Sequence, residues 1–218
     1  MSQTSLPREP SEMSEEKFYA NLSDQAYKGK DRKMEFEGYT HDKDLSDTRH
    51  AIYHNAETNH TVLAVRGTKT DLSLDSVEDL VDSDLGGIVF GNLTATSRYK
   101  QAQSRLRAAQ RKYKGSKLDL TGHSLGGRVV EELSARESGI NQAYSYNPGS
   151  FASHALTDIK CKFSNDAQCK NRKSRVNRFT VEGDVLSITS HSGQGIKKHT
   201  HKKKAKKGLD AHTIANFT

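Results

Sequence analysis

The feature that most constrains the fold is the glycine-rich hexapeptide GHSLGG, whose serine is Ser124. The preceding residues, Lys117–Thr121, have the pattern of a short strand, and Arg128–Arg136 have that of a helix. A serine between glycines at a strand-to-helix turn lies on a strained backbone that projects its hydroxyl above the sheet. Side chains at Gly122 and Gly126 would clash with the neighbouring strand and helix. The motif therefore predicts a strand, a sharp turn that exposes a hydroxyl, and a helix.

The segments around this motif alternate between strand and helix patterns. Strands joined through helices pair in parallel, so we predict an α/β fold with a mostly parallel central sheet and flanking helices. One small domain over residues 15–218 is expected, preceded by a flexible polar arm at 1–14 that has little apolar surface to bury. The predicted helices are Glu15–Tyr27 and Ala95–Tyr113, and the other predicted strands are Met34–Tyr39, Arg49–Asn55, His60–Arg66, Ile140–Tyr146 and Val176–Val181.

Several motifs in order along the chain resemble one protein family. GHSLGG together with Arg66-Gly67-Thr68 is similar to the class 3 (fungal-type) lipases of the α/β-hydrolase superfamily. The similarity begins near His60 and includes the Asn-Pro-Gly turn at 147–149, the Glu-Gly-Asp loop at 182–184 and a final Asp-Ala-His segment. The resemblance implies an α/β-hydrolase fold, cleavage of carboxylic esters by a lipase or phospholipase, and no metal or organic cofactor.

A serine nucleophile needs a base to take its proton and a carboxylate to orient that base. In α/β-hydrolases these residues follow in the order serine, acid, histidine. Asp184 directly follows a predicted strand and a glycine, and His212 lies in the apolar closing segment. The resemblance agrees with both, so Ser124, Asp184 and His212 are the expected catalytic residues. Asp210 is the second candidate for the acid, and His191 is a minor candidate for the base.

Stabilisation of the oxyanion requires two donors near the nucleophile. One is expected to be the backbone N–H of Leu125, which directly follows the serine, and the resemblance places the other at Thr68. The nucleophile elbow comprises Gly122, His123 and Gly126, and His123 is expected to pack within it and not to act as the base.

One segment departs from the family pattern. Family members usually carry a tryptophan on or near a lid helix after the Arg-Gly-Thr turn, and this chain has no tryptophan. Its equivalent segment, residues 71–85, places leucines and valines at helical spacing among acidic residues. A lid over an apolar pocket and an ordinary solvated helix are both compatible with this pattern. The sequence contains no CxxC or HExxH motif, so no metal site is expected.

The basic charge of the chain is concentrated near its end. The formal net charge is +7, and Lys197–Lys207 contains seven lysines and no acid, so the rest of the chain sums to zero (7 − 7 = 0). We expect a basic low-complexity loop at 197–207 that binds an anionic membrane surface, where each lysine contributes about 1 kcal/mol. Binding to nucleic acid is less favoured, and a solvated loop is the plain alternative. A second basic stretch runs from Lys160 to Arg178.

The cellular compartment is indicated by what the first residues lack. They have no charged-then-apolar leader, and no apolar run approaches the ~18 residues of a membrane span. We therefore expect an intracellular protein, with membrane-associated or nuclear location as variants. In a reducing compartment Cys161 and Cys169 are expected to be free thiols, and a disulfide between them is the less favoured alternative.

These features favour a serine hydrolase that cleaves carboxylic esters, a lipase or phospholipase acting on lipid at a membrane surface. A soluble esterase or thioesterase with the same triad is one alternative. A catalytically silent membrane- or nucleic-acid-binding protein with a hydrolase fold is the other.

Overall fold

A computed structural model describes residues 13–68, 96–149, 160–161, 163–182, 197–201 and 212–218. Within these residues eight strands form one sheet in which each strand neighbours the next along the chain. The strands are β1 (Glu35–Phe36), β2 (Tyr39–His41), β3 (His50–Asn55), β4 (His60–Val65), β5 (Lys117–His123), β6 (Ala143–Tyr146), β7 (Val176–Val181) and β8 (Lys197–His201). The helices are α1 (Glu15–Gln25), α2 (Ser97–Lys112), α3 (Leu125–Arg136) and α4 (Ala167–Arg175), with short 3-10 turns at Gly29–Asp31 and Ile214–Asn216.

The sheet has an antiparallel half and a parallel half. Strands β1 to β4 pair antiparallel, and β4 to β8 pair parallel. Because the carboxyl ends of parallel strands meet at one edge of a sheet, the residues that follow β4, β5, β6 and β7 share that edge. Thr68, Ser124 and Asn147 come shortly after the first three of these strands. The topology therefore gathers at one edge several of the segments in which the sequence predicts functional residues.

Helices cover both faces of this sheet. Helix α2 is capped by Thr96, whose hydroxyl accepts a hydrogen bond from Tyr99 N, and it buries Tyr99, Ala102, Leu106 and Ala109. Together with α3 it packs on one face, over a core that includes Leu63 and Leu120. Helix α1 and the C-terminal 3-10 turn cover the other face with Tyr19, Leu22, Ile214 and Phe217. The predicted α/β fold, with a mostly parallel sheet and flanking helices, is confirmed.

Three local predictions differ from the structure. The strand expected over Met34–Tyr39 is two short strands, because Glu37 (φ +49°) and Gly38 (φ +77°) turn the chain between them. The loop expected at 197–207 is wrong for Lys197–His201, which forms β8 through backbone pairing with β7. Helix α4 was not expected, because its buried positions, Cys169 and Arg172, do not form an apolar pattern.

The expectation of free thiols is also wrong, since Cys161 and Cys169 form a disulfide. Asp166, between them, caps α4 by accepting a hydrogen bond from Cys169 N at 2.8 Å. The turn before this cap brings the two cysteines to a Cα–Cα distance of 5.0 Å, within the range of a disulfide. The predicted lid segment, 71–85, lies outside the described residues. Among the described helices, none is long and apolar enough to cross a membrane.

Candidate active site

The turn between β5 and α3 has the geometry predicted for the elbow. Ser124 adopts φ +56° and ψ −127°, a backbone conformation with positive φ that residues other than glycine rarely adopt. A Cβ on Gly122 would lie 2.6 Å from the carbonyl atoms of Gly126. A Cβ on Gly126 would lie 2.1 Å from the carbonyl oxygen of Val65, at the end of β4. Only glycine fits at either position, and the predicted strand, turn and helix are confirmed.

His212 lies beside this elbow although 88 residues separate it from Ser124. Its Nε2 is 2.8 Å from Oγ of Ser124, and the residue is only 4% exposed. The segment that carries His212 is anchored by two apolar side chains, Ile214 and Phe217. The ring of Phe217 packs 5.1 Å from that of Tyr146 on β6. The end of the chain is therefore fixed to the sheet with its imidazole against the serine hydroxyl.

His123, the residue before the nucleophile, contacts the backbone of His212. Its Nε2 lies 2.5 Å from the carbonyl oxygen of His212, and its Nδ1 lies 2.9 Å from the hydroxyl of Tyr27. The Tyr27 hydroxyl in turn accepts a hydrogen bond from Gly67 N at 3.0 Å. Burial raises the pKa of the Tyr27 hydroxyl well above its usual range, and the bond from Gly67 opposes this only in part. Tyr27 therefore remains a neutral hydroxyl.

The end of β4 lies in contact with the nucleophile. A Cβ on Gly67 would lie 3.0 Å from Cβ of Ser124 and 2.7 Å from the carbonyl oxygen of His123. Thr68 follows directly and is half-buried. On the other side, Leu125 begins α3, where backbone N–H groups have no partner within the helix. The two predicted oxyanion donors thus directly follow Gly67 and Ser124, two residues that lie close together.

Buried charges fix α3 behind the elbow. Glu131 is fully buried and accepts hydrogen bonds from Arg128 at 2.8 Å, from Ser145 at 2.8 Å and from Arg178 at 2.8 and 2.7 Å. Burial by itself would raise the pKa of the Glu131 carboxyl, but the positive charges of Arg178 and Arg128 hold it well below its usual range. Nε of Arg128 also donates to the carbonyl oxygen of Gly149 at 2.8 Å. This network ties the elbow helix to β6, β7 and the turn after β6.

The predicted acid does not fall within the described residues, and neither do its rival Asp210 nor the minor base candidate His191. The described chain at the end of β7 runs to Glu182, two residues before Asp184. There Val181 N donates to the Asn147 side chain at 2.9 Å, and Asn147 N donates to the carbonyl oxygen of Phe179 at 2.8 Å. These bonds join the turn after β6 to the strand that leads to Asp184.

The fold brings Ser124, His212, Thr68 and Leu125, which the sequence predicts as site residues, to one edge of the sheet. The contact of Tyr27 with this edge is not predicted by the sequence. The contact between Tyr27 and His123 spans 96 residues of sequence. In the sequence, Tyr27 looks like one more apolar residue at the end of the predicted helix Glu15–Tyr27, so no local pattern distinguishes it.

The chemistry open to this arrangement follows from its donors and acceptors. An imidazole at 2.8 Å from a serine hydroxyl is within reach to accept its proton. Backbone N–H groups at the start of a helix favour negative charge beside that hydroxyl. In the described parts of the chain, no group of three His, Cys, Asp or Glu side chains is arranged to hold a metal ion.

Solved structures with a similar fold include several fungal proteins. Lip2 lipase from Yarrowia lipolytica is 15% identical, with a TM-score of 0.54 over 90% of this chain and 80% of that one. A mutant form of MDLA from Penicillium cyclopium is 15% identical, with a TM-score of 0.54 over 88% of this chain and 80% of that one. A propeptide complex of Rhizomucor miehei lipase is 15% identical, with a TM-score of 0.50 over 80% of this chain and 61% of that one. The resemblance to the class 3 lipases is thus confirmed as a likeness of fold.

Comparison of sequences shows the family. No curated protein matches the chain. A phospholipase-like family model, described as the Tle-like phospholipase domain, matches residues 16–218, nearly the whole chain. The chain therefore belongs to this phospholipase-like family of Tle-like phospholipase domains.

Proposed function

We propose that this protein is a serine hydrolase that cleaves the carboxylic esters of phospholipids or related lipids. The observation that carries the proposal is the strained Ser124, whose hydroxyl oxygen lies 2.8 Å from Nε2 of His212. Strained backbone of this kind is retained where function requires it. Membership of a phospholipase-like family supports a lipid ester as the substrate.

The reaction follows the usual course of acyl transfer. His212 takes the proton of Ser124 as the serine oxygen attacks the ester carbonyl carbon. The resulting oxyanion accepts hydrogen bonds from the N–H of Leu125 and from Thr68. Collapse of this intermediate breaks the ester bond, and His212 returns the proton to the leaving alcohol. His212 then takes a proton from water as the water oxygen attacks the acyl carbon, and it returns that proton to Ser124 as the acyl–serine bond breaks and the fatty acid leaves.

The acid that orients His212 is proposed to be Asp184. It follows the last residue of β7 by three positions, and β7 ends at the same sheet edge as the strand before Ser124. Asp210 is only two residues from His212, and reaching the far ring nitrogen from there requires a tight turn without a glycine. Asp184→Asn should therefore lower kcat by roughly ten-thousandfold, as in other triads. Asp210→Asn should leave kcat nearly unchanged, and an equal loss in both variants would contradict the choice of Asp184.

The proposal is tested by the kinetics of single and double variants on a phospholipid and on p-nitrophenyl esters of increasing acyl length. Ser124→Ala and His212→Ala should each lower kcat by roughly a thousandfold or more. The double variant should be little worse, because members of a triad act as a unit. Additive losses would mean that His212 does not serve Ser124. A preference for the shortest acyl chains would favour the soluble esterase or thioesterase.

We further propose that the Lys-rich segment Lys197–Lys207 brings the enzyme to anionic membrane surfaces. Seven lysines without an acid supply the charge, at about 1 kcal/mol per lysine near such a surface. Sedimentation of the Ser124→Ala protein with phosphatidylserine vesicles measures this binding without hydrolysis. Replacement of Lys202, Lys203 and Lys204 by alanine should weaken it, and more so at low salt. Equal binding by the triple variant, or binding only to nucleic acid, would contradict the proposal.

A further inference from the structure

We infer that Tyr27 and His123 form a positioning unit. This unit keeps the proposed base, His212, and the segment that carries Thr68 aligned with Ser124. The inference rests on the proposed function, because it concerns the alignment of His212 and Thr68 with Ser124. It starts from three consecutive contacts: Gly67 N to the Tyr27 hydroxyl at 3.0 Å, that hydroxyl to Nδ1 of His123 at 2.9 Å, and Nε2 of His123 to the carbonyl oxygen of His212 at 2.5 Å.

The direction of each of these three hydrogen bonds follows from the two end groups, the carbonyl oxygen of His212 and the backbone N–H of Gly67. A carbonyl oxygen only accepts, so Nε2 of His123 must carry the hydrogen that lies against His212. In a neutral imidazole the other nitrogen is then an acceptor, and Nδ1 receives the hydrogen of the Tyr27 hydroxyl. The hydroxyl oxygen remains free to accept from the backbone N–H of Gly67. Every donor in the chain thus meets an acceptor, with His123 in one tautomer.

These three hydrogen bonds join two parts of the site without involving Ser124 itself. One end is Gly67, directly before the proposed oxyanion donor Thr68, and the other is the backbone of the proposed base. His123 is 7% exposed, so water cannot readily replace a missing partner there. Removing one hydroxyl would therefore leave Gly67 N without its acceptor and His123 Nδ1 without its donor at the same time. Both the β4 end and the C-terminal segment would lose a restraint.

Tyr27 packs close to both of its hydrogen-bond partners. Its ring lies 5.8 Å from that of His123 at an interplanar angle of 60°, an edge-to-face arrangement. A Cβ on Gly67 would come within 2.7 Å of the Tyr27 hydroxyl oxygen, so the β4 end can approach this oxygen only because residue 67 is glycine. The same glycine that lets β4 touch the nucleophile thus also lets it reach the positioning unit.

Two substitutions at position 123 separate the two links of the chain. A glutamine amide reaches the position of Nε2 and donates to His212, but it does not reach Tyr27. An asparagine amide reaches the position of Nδ1 and accepts from Tyr27, but it does not reach His212. If the unit positions the base, His123→Gln should retain several-fold more of kcat than His123→Asn. A merely structural role for His123 predicts no such order.

Tyr27→Phe removes only the hydroxyl and provides the second test. We expect kcat to fall by about ten- to a hundredfold with little change in KM, because displacements near 1 Å cost up to that much. The matched control is Tyr53→Phe, since Tyr53 is a buried tyrosine whose hydroxyl donates to the carbonyl oxygen of Lys33 at 2.8 Å, away from the site. Both variants should show similar small losses in melting temperature, and only Tyr27→Phe should lose activity.

The readouts are kcat and KM on a short soluble ester, the rate of labelling by a fluorophosphonate, and the imidazole nitrogen shifts of His123 by NMR. Neutral His123 with hydrogen on Nε2, slow labelling of Tyr27→Phe, and the order glutamine above asparagine support the inference. Wild-type rates in Tyr27→Phe, or equal rates in the two position-123 variants, would overturn it while leaving the proposed function intact. If the wild-type protein is not labelled by the fluorophosphonate, the proposed function is refuted instead. If NMR shows a hydrogen on Nδ1 of His123, the positioning unit is refuted whatever the activity.

Discussion

Replacement of Gly126 by alanine should separate the elbow from β4. An alanine Cβ at this position would lie 2.1 Å from the carbonyl oxygen of Val65 and 2.9 Å from the carbonyl carbon of Arg66. Real Cβ atoms do not approach other atoms within 3.0 Å, so the two segments must move apart by at least 0.9 Å (3.0 − 2.1). The opposing atoms belong to the backbone and cannot rotate away. The displacement is therefore passed to Gly67 and Thr68, which follow Arg66.

The expected cost divides between stability and catalysis. Overpacking of this kind destabilises folded proteins by about 1–3 kcal/mol. In a domain of this size each kcal/mol lowers the melting temperature by about 2–4 °C, so a fall of roughly 2–12 °C is expected. A shift near 1 Å between nucleophile and oxyanion donor lowers kcat by about a hundredfold. The variant should thus remain folded at 25 °C and be nearly inactive.

The assay is hydrolysis of a short p-nitrophenyl ester together with a thermal melt. Gly149→Ala is the matched control, because a Cβ on Gly149 would meet none of the described residues within 4 Å and its backbone is not left-handed. The control should keep wild-type kcat and melting temperature. Activity of Gly126→Ala equal to that of Gly149→Ala would refute the argument that contact between β4 and the elbow aligns the site.

Two further predictions concern buried carboxylates. Glu131→Gln removes the buried carboxylate that pairs with Arg128 and Arg178, which should cost about 3–5 kcal/mol of unfolding free energy in a urea titration, and a loss under 1 kcal/mol would contradict this prediction. Asp119 is buried; burial would raise the pKa of its carboxyl, but hydrogen bonds from His60, Tyr19 and Asn141 lower it below the usual value. The ionised Asp119 carboxylate should thus stabilise the fold fully above about pH 4, the pKa of an aspartate in the unfolded chain. This stabilisation should be lost as the pH falls through the lower pKa that Asp119 has in the folded protein. Wild type should lose unfolding free energy from pH 5 to pH 2, Asp119→Asn should lose less, and equal slopes would contradict the assignment.

The sequence predicted the central part of the fold because its signals are local. Lys117–Thr121, the GHSLGG turn and the following helix are adjacent in the chain, and their glycines report close packing directly. The order of the motifs then led to His212, which the structure places against Ser124. Asp184 rests on the same argument from order and remains a prediction.

The parts that the sequence did not predict depend on contacts between distant residues. Helix α4 is held to α3 by ion pairs of Arg172 with Glu131 and Glu132, and a search for apolar spacing does not detect charged pairs. Strand β8 is rich in lysine, but backbone pairing with β7 and stacking of His199 on Phe179, at 4.7 Å, do not depend on that composition. In each case the decisive partner lies on another element.

The same reason explains the disulfide and the positioning unit. The expected compartment predicts free thiols, whereas the turn before α4 brings Cys161 and Cys169 together. Tyr27 gains its role from His123, far along the chain. Sequence patterns report which residues are buried, and only the fold reports what each buried polar group meets.

The most direct test of the central claim is covalent labelling of the folded protein with a fluorophosphonate, followed by mass spectrometry of its peptides. The account predicts one label per chain, located on Ser124, and labelling that slows by roughly a thousandfold in His212→Ala. Protein unfolded in urea should not be labelled. A folded protein that remains unlabelled at Ser124, or that is labelled equally fast without His212, would contradict the claim that these two residues form the reactive pair of a serine hydrolase.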